Sequence, residues 1–118
     1  MIKPSSPRVL LLNPPGHRNY GRDYYCSKVN KANYVEHPVD FVYLTGILEQ
    51  RVEYIILDAI VDKLDPAECL KRILDFQPDV VIFLSGWVSW IEDLPFLAKV
   101  KQHVPASRWI GMGDLFLD

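Results

Sequence analysis

The stretch Val9-Leu10-Leu11-Leu12-Asn13-Pro14-Pro15-Gly16 decides the fold. Four successive apolar residues with no polar alternation mark a strand buried on both faces, and the Asn-Pro-Pro-Gly that follows cannot continue a hydrogen-bonded ladder. Three later runs repeat the pattern: Tyr54-Ile55-Ile56-Leu57 before Asp58, Val80-Val81-Ile82-Phe83-Leu84 before Ser85, and Trp109-Ile110 before Gly111. Strands that are apolar throughout imply a parallel sheet covered by helices on each side.

The segments between the strands read as those helices. Phe41, Leu44, Ile47 and Leu48 recur at helical spacing after Pro38, whose missing N–H suits a helix start. Asp65-Pro66-Ala67-Glu68 supplies an N-cap, a first-turn proline and a glutamate placed to reach back, with Leu70, Ile73 and Leu74 as the inner face and Pro78 as the stop. In the third helix Ser89 and Glu92 resemble a capping box that would leave Pro95 inside, so a start near Asp93, or a kink, is expected. The order β-α-β-α-β-α-β predicts an α/β fold: a flavodoxin-like (Rossmann-like), doubly wound parallel sheet in three αβα layers. Such a sheet normally has a fifth strand. The sequence ends at residue 118, just past the fourth, and so reads as one domain, 1–118, truncated from a longer chain.

Composition narrows the function classes. Thirteen basic against fifteen acidic side chains give a net charge of −2, too weak a field to predict nucleic acid or an anionic membrane as partner. Cys26 and Cys69 stand far apart, without the spacing of a disulfide framework or structural zinc site, so a cytoplasmic location is expected. The first seven residues are a short polar, proline-containing tail, and no apolar run approaches the roughly 20 residues that span a bilayer.

Ligands of doubly wound sheets sit beyond the carboxyl ends of the strands. Four loops lie there: 13–38, 58–64, 85–89 and 111–114. The first far exceeds the usual length of about 2–6 residues and alternates basic with aromatic side chains from His17 to Tyr34, which suits a lid or docking surface or, equally, a solvated loop with its tyrosines on the sheet edge. His17 has no second metal ligand at a recognisable spacing and reads as a plain loop histidine; Cys26 has no assigned role. Ser85 and Gly86 allow close approach of a ligand or form a tight turn, and Gly111 and Gly113 remove Cβ atoms that would block a flat guest. Asp58 accepts from a ligand hydroxyl or serves its own turn. Prolines after the first strand exclude a dinucleotide cradle, Ser85 stands where a phosphate-accepting receiver carries aspartate, and there is no Gly-x-Ser-x-Gly.

Taken together, Val9 to Pro15, Pro38 leading to Tyr43-Leu44-Thr45-Gly46-Ile47-Leu48, Ile56-Leu57-Asp58-Ala59, Pro78-Asp79-Val80-Val81 and Gly111-Met112-Gly113-Asp114-Leu115-Phe116 resemble the N-terminal cobalamin-binding-type domain of radical S-adenosylmethionine enzymes. Arg22-Asp23-Tyr24-Tyr25-Cys26-Ser27-Lys28 is similar to a segment in a subset of that family. The resemblance implies cobalamin held against Asn13, Asp58, Ala59, Ser85, Gly86, Trp87, Gly111, Met112 and Gly113. The family's Asp-x-His-x-x-Gly is missing around His17, Ser85-Gly86-Trp87 matches its Ser-x-Leu with Trp for Leu, and Gly111-Met112-Gly113 matches its Gly-Gly loosely. Cobalamin would therefore bind without a protein histidine on cobalt, with Trp87 or loop side chains covering its lower face. The same departures fit a member that has lost the cofactor and keeps the fold as a docking module.

The family's Cys-x-x-x-Cys-x-x-Cys, which holds a 4Fe-4S cluster with S-adenosylmethionine, is absent from these 118 residues. The resemblance thus places catalysis, plausibly methyl transfer, in a catalytic domain of the same polypeptide as partner, and an isolated fragment is expected to self-associate through an apolar edge. A flavodoxin-like domain binding a flavin or nucleotide is the third reading, and a yellow fluorescent preparation would mark it.

Overall fold

The computed structural model describes residues 6–22, 27–30 and 39–116. In chain order the elements are β1 (Arg8–Asn13), β2 (Tyr20–Arg22), β3 (Ser27–Val29), α1 (Val39–Leu48), β4 (Glu53–Asp58), α2 (Pro66–Phe76), β5 (Val80–Leu84), α3 (Trp90–His103) and β6 (Arg108–Met112), closed by a 3-10 turn over Asp114–Phe116. The expected Pro38 start of α1, residues 1–5 of the N-terminal tail and Cys26 lie outside the described residues.

β1, β4, β5 and β6 form one parallel sheet in the order β4-β1-β5-β6. This is a mixed α/β architecture compatible with a Rossmann-like fold. Along β1, Leu10 and Leu12 join one apolar cluster with Ile73 of α2 and Leu97 of α3, while Val9 and Leu11 join a second with Phe41 of α1. Successive strand residues point to opposite faces, so the two clusters lie on opposite sides of the sheet. Register aligns the strand ends: Asn13 pairs with Asp58, and Leu84 with Met112.

Several local expectations need correction. The outer strands are half-exposed instead of buried on both faces: Ile56 of β4 and Ile110 of β6 are exposed, because an edge position and a single helix on that face leave them uncovered. Ile47 also faces outward, with Phe41, Leu44 and Leu48 carrying the inner side of α1. In α2 the deepest side chains are Cys69, Ile73 and Phe76; Asp65 does cap the helix, accepting from the Glu68 N–H at 2.8 Å, but the Glu68 carboxylate turns to Arg72 instead of reaching back. The third helix starts at Trp90 and carries Pro95 inside it. Pro95 lacks the N–H that would reach back to the Ile91 carbonyl, and both residues are exposed, so water can serve that group.

The long loop after β1 contains a two-stranded antiparallel hairpin, β2–β3, with Tyr20 opposite Val29 and Arg22 opposite Ser27. The sequence reading did not anticipate it.

Candidate functional site

The carboxyl ends of β1, β4, β5 and β6 form a common rim. It carries Asn13, Asp58 with Ala59, Ser85 with Gly86, and Met112 with Gly113, and is closed by Ser85 N–H donating to Met112 O at 3.0 Å. At its centre the connections from β1 and β5 leave in opposite directions, the crevice where doubly wound sheets receive ligands.

That crevice is filled by Arg22. Its side chain is fully buried, and so is that of Asp93 in the first turn of α3. Arg22 Nη2 donates to Asp93 Oδ1 at 2.6 Å, and Nε is shared between Asp93 Oδ2 at 3.2 Å and Ser89 Oγ at 3.1 Å. Nη1 donates to Asn13 Oδ1 at 2.8 Å and to Pro14 O at 3.0 Å. Ser85 Oγ and Ser89 Oγ both donate to Asp93 Oδ2, at 2.8 and 2.6 Å. The Tyr20 ring lies 5.0 Å from the guanidinium carbon. Nearly every donor of the planar fork is thus matched by an acceptor, the condition under which a buried charge is tolerated.

Asn13 also donates through Nδ2 to Asp58 Oδ1 at 2.9 Å, which accepts from the Ile60 and Val61 N–H groups as well. Asp58 therefore serves its own turn, while Oδ2 is buried without a partner among the described residues. Ala59 belongs to the core beneath the rim, and its N–H donates to Asn13 O.

The glycines sit against the protein's own groups. A Cβ on Gly86 would lie 2.3 Å from Ser27 Cβ, and one on Gly111 2.7 Å from Phe116 Cζ. At Gly113, whose φ is +134°, a Cβ would lie 1.8 Å from Ser85 O. Asp114 then ties the hairpin across the rim: Oδ2 accepts from Ser27 N–H and Oγ at 2.8 and 2.9 Å, and Oδ1 from Trp87 N–H at 2.9 Å. The Trp87 side chain itself is exposed, as are Val88 and Ile91.

Beside the rim, an open cleft of about 430 Å³ lies between the loops after β1 and β4 and the start of α3. His17 is fixed there by Glu92, whose Oε2 accepts the His17 backbone N–H at 2.8 Å and whose Oε1 contacts Nδ1 at 2.6 Å and the Tyr20 hydroxyl at 2.8 Å. Burial alone would raise the Glu92 carboxyl, but the hydrogen bonds from Tyr20 and His17 outweigh it and hold it below its ordinary 4.5. Burial, reinforced by Glu92, pushes the Tyr20 phenol up to about 12, so it remains a donor. Glu92 is thus spent on His17 and Tyr20, not on capping α3.

Sequence reasoning missed Arg22 and Asp93. A signal for Asp93 was present: it shares the inward stripe of α3 with Phe96, Leu97 and Val100, and a carboxylate at such a position demands a buried partner. Among the described residues no helix is long and apolar enough to cross a membrane, and no group of three or more His, Cys, Asp or Glu is placed to hold a metal. No protein-family model, no curated protein and no solved structure matches the chain.

Proposed function

We propose that this chain is the N-terminal, cobalamin-binding-type domain of a radical S-adenosylmethionine enzyme, a flavodoxin-like three-layer unit, and that it serves the catalytic domain as a docking module. The order of the quoted motifs supports the family, and the strand order β4-β1-β5-β6 is compatible with its Rossmann-like fold. The docking role rests on one observation: the rim where a corrin would enter is occupied by Arg22 and its partners.

The residues that the resemblance assigns to cobalamin do not fit it in this arrangement. Ser85 is committed to Asp93, Asn13 to Arg22 and Asp58, and the space left by Gly86, Gly111 and Gly113 is taken by Ser27, Phe116 and the Ser85 carbonyl. Accommodating a flat guest would first break those contacts. In the parent enzyme radical chemistry, with methyl transfer as its outcome, would belong to the catalytic domain with its 4Fe-4S cluster and S-adenosylmethionine. The exposed apolar side chains Val42, Tyr43 and Ile47 of α1 offer a surface for it to cover.

A second reading is favoured by the exposure of Trp87 beside the rim. On it, cobalamin lies outside the closed crevice, with Trp87 under its lower face and no histidine on cobalt. Mixing the purified chain with hydroxocobalamin and desalting separates the two. The docking reading expects no retained red colour at tens of micromolar, and co-elution with a separately expressed catalytic half bearing the three-cysteine motif. Retained colour that disappears in Trp87→Ala would replace it with the second reading, and failure to co-elute would remove the docking role.

A further inference from the structure

We infer that the crevice at the centre of the rim is a guanidinium-receiving site, filled in cis by Arg22, which holds the β2–β3 pair across the carboxyl edge of the sheet. The inference goes beyond the proposed family and stands on the folded chain alone, so it can fail or hold whichever function is right.

The receptor is assembled from three separate parts of the chain. Asn13 Oδ1 and Pro14 O, at the end of β1, accept on one side of the guanidinium, at 2.8 and 3.0 Å. Ser89 Oγ and the two Asp93 oxygens, at and within the start of α3, accept on the other. Ser85, following β5, orients the carboxylate. Acceptors set around opposite edges of one plane match the in-plane fork of five N–H groups: an ammonium is a compact point donor and lacks the reach to serve Asn13 and Asp93 together.

The tethers explain why the site holds the loop. Arg22 is the last residue of β2, and its strand partner Ser27 is bonded to Asp114 beyond β6. Arg22 and Ser27 face each other across the hairpin, so the same end of it is pinned through β2 to α3 and through β3 to the turn after β6, and it lies across the switch point. An amide-rich or guanidinium-bearing guest would have to displace Arg22 from these acceptors. The chain's own loop is the resident ligand.

Chemical rescue tests the assignment. In Arg22→Ala the receptor is left empty with its carboxylate buried, and methylguanidinium at low millimolar concentration, too dilute to denature, should re-occupy it. The expected result is a saturable rise in melting temperature of about 5 °C over a matched sodium chloride control, with no rise in wild type, where the site is already filled, and none in Arg22→Ala/Asp93→Ala, where its anchor is gone. Arg22→Lys should melt close to Arg22→Ala. If Arg22→Ala lacks a cooperative melt, the readout becomes recovery of far-ultraviolet circular dichroism in the cold on adding methylguanidinium. Absence of a rise or recovery, or an equal response from the double variant, overturns the proposal.

Discussion

Removing the carboxylate of Asp93 is the sharpest perturbation of this fold. Asp93 accepts four hydrogen bonds, from Arg22 Nε and Nη2, Ser85 Oγ and Ser89 Oγ, and both members of the ion pair have side chains at 0% exposure. Asp93→Ala leaves a guanidinium buried without its counter-charge, a change that typically costs about 3–5 kcal/mol. A domain of this size has about 5–15 kcal/mol in total. With a urea dependence of about 1.5 kcal/mol per molar, the unfolding midpoint should fall by about 2–3 M. Arg22→Ala, which strands the carboxylate instead, should cost a similar amount. The double variant removes both charges and should cost no more than either single one, giving a coupling of about 3 kcal/mol or more. Urea titrations followed by tryptophan fluorescence, with circular dichroism as a second probe, provide all four midpoints. Additive single effects, or a loss below about 1 kcal/mol in Asp93→Ala, would refute the claim that this pair organises the rim.

Three further outcomes are expected. Gly113→Ala should destabilise by at least about 1–3 kcal/mol, since its Cβ meets the Ser85 carbonyl at a φ of +134°, whereas Gly46→Ala, in α1 with nothing within 4 Å, should stabilise by about 0.5–1 kcal/mol; paired urea midpoints check both. The Glu92 carboxyl is depressed in the folded state, so its contribution is complete above the unfolded value of 4.5 and is lost as pH falls through the lower folded value; Glu92→Gln should flatten the acid limb of a stability–pH curve. Cys69 lies fully buried in the core, and burial pushes its thiol up to about 12, so in a Cys26→Ser background a disulfide reagent should react only on unfolding.

The sheet was legible because its signal is local. Four apolar runs, each closed by a breaker, are readable without any knowledge of what packs on them, and the Asp65 cap of α2 is decided within one turn. What escaped reading depends on partners far apart in sequence. Ser89 and Glu92 have the spacing of a capping box, yet a hydroxyl shared with a buried ion pair and a carboxylate claimed by His17 and Tyr20 are better satisfied elsewhere. The hairpin was illegible because three-residue strands carry almost no periodicity. Ile47, Ile56 and Ile110 were assigned inward by pattern, but how much of a face one helix covers is a property of the assembled layers.

The glycines of the rim carry the most instructive ambiguity. A glycine at the carboxyl end of a strand is equally the mark of a ligand's close approach and of close approach by the chain's own backbone. Here the groups nearest each absent Cβ belong to the protein: Ser27 for Gly86, Phe116 for Gly111, Ser85 O for Gly113. Two of those neighbours are held by bonds that must exist for the hairpin and the final turn to close, Ser27 to Asp114 and Ser85 N–H to Met112 O. Gly86 and Gly113 are therefore accounted for by closure itself, whereas the neighbours of Gly111 are the ring ends of Phe116 and Phe83. It follows that space for a ligand at this edge would have to be created by moving β2–β3, which leaves the hairpin's own backbone pairs intact and breaks its outward tethers, Arg22 to Asp93 and Asn13, Tyr20 to Glu92 and Ser27 to Asp114.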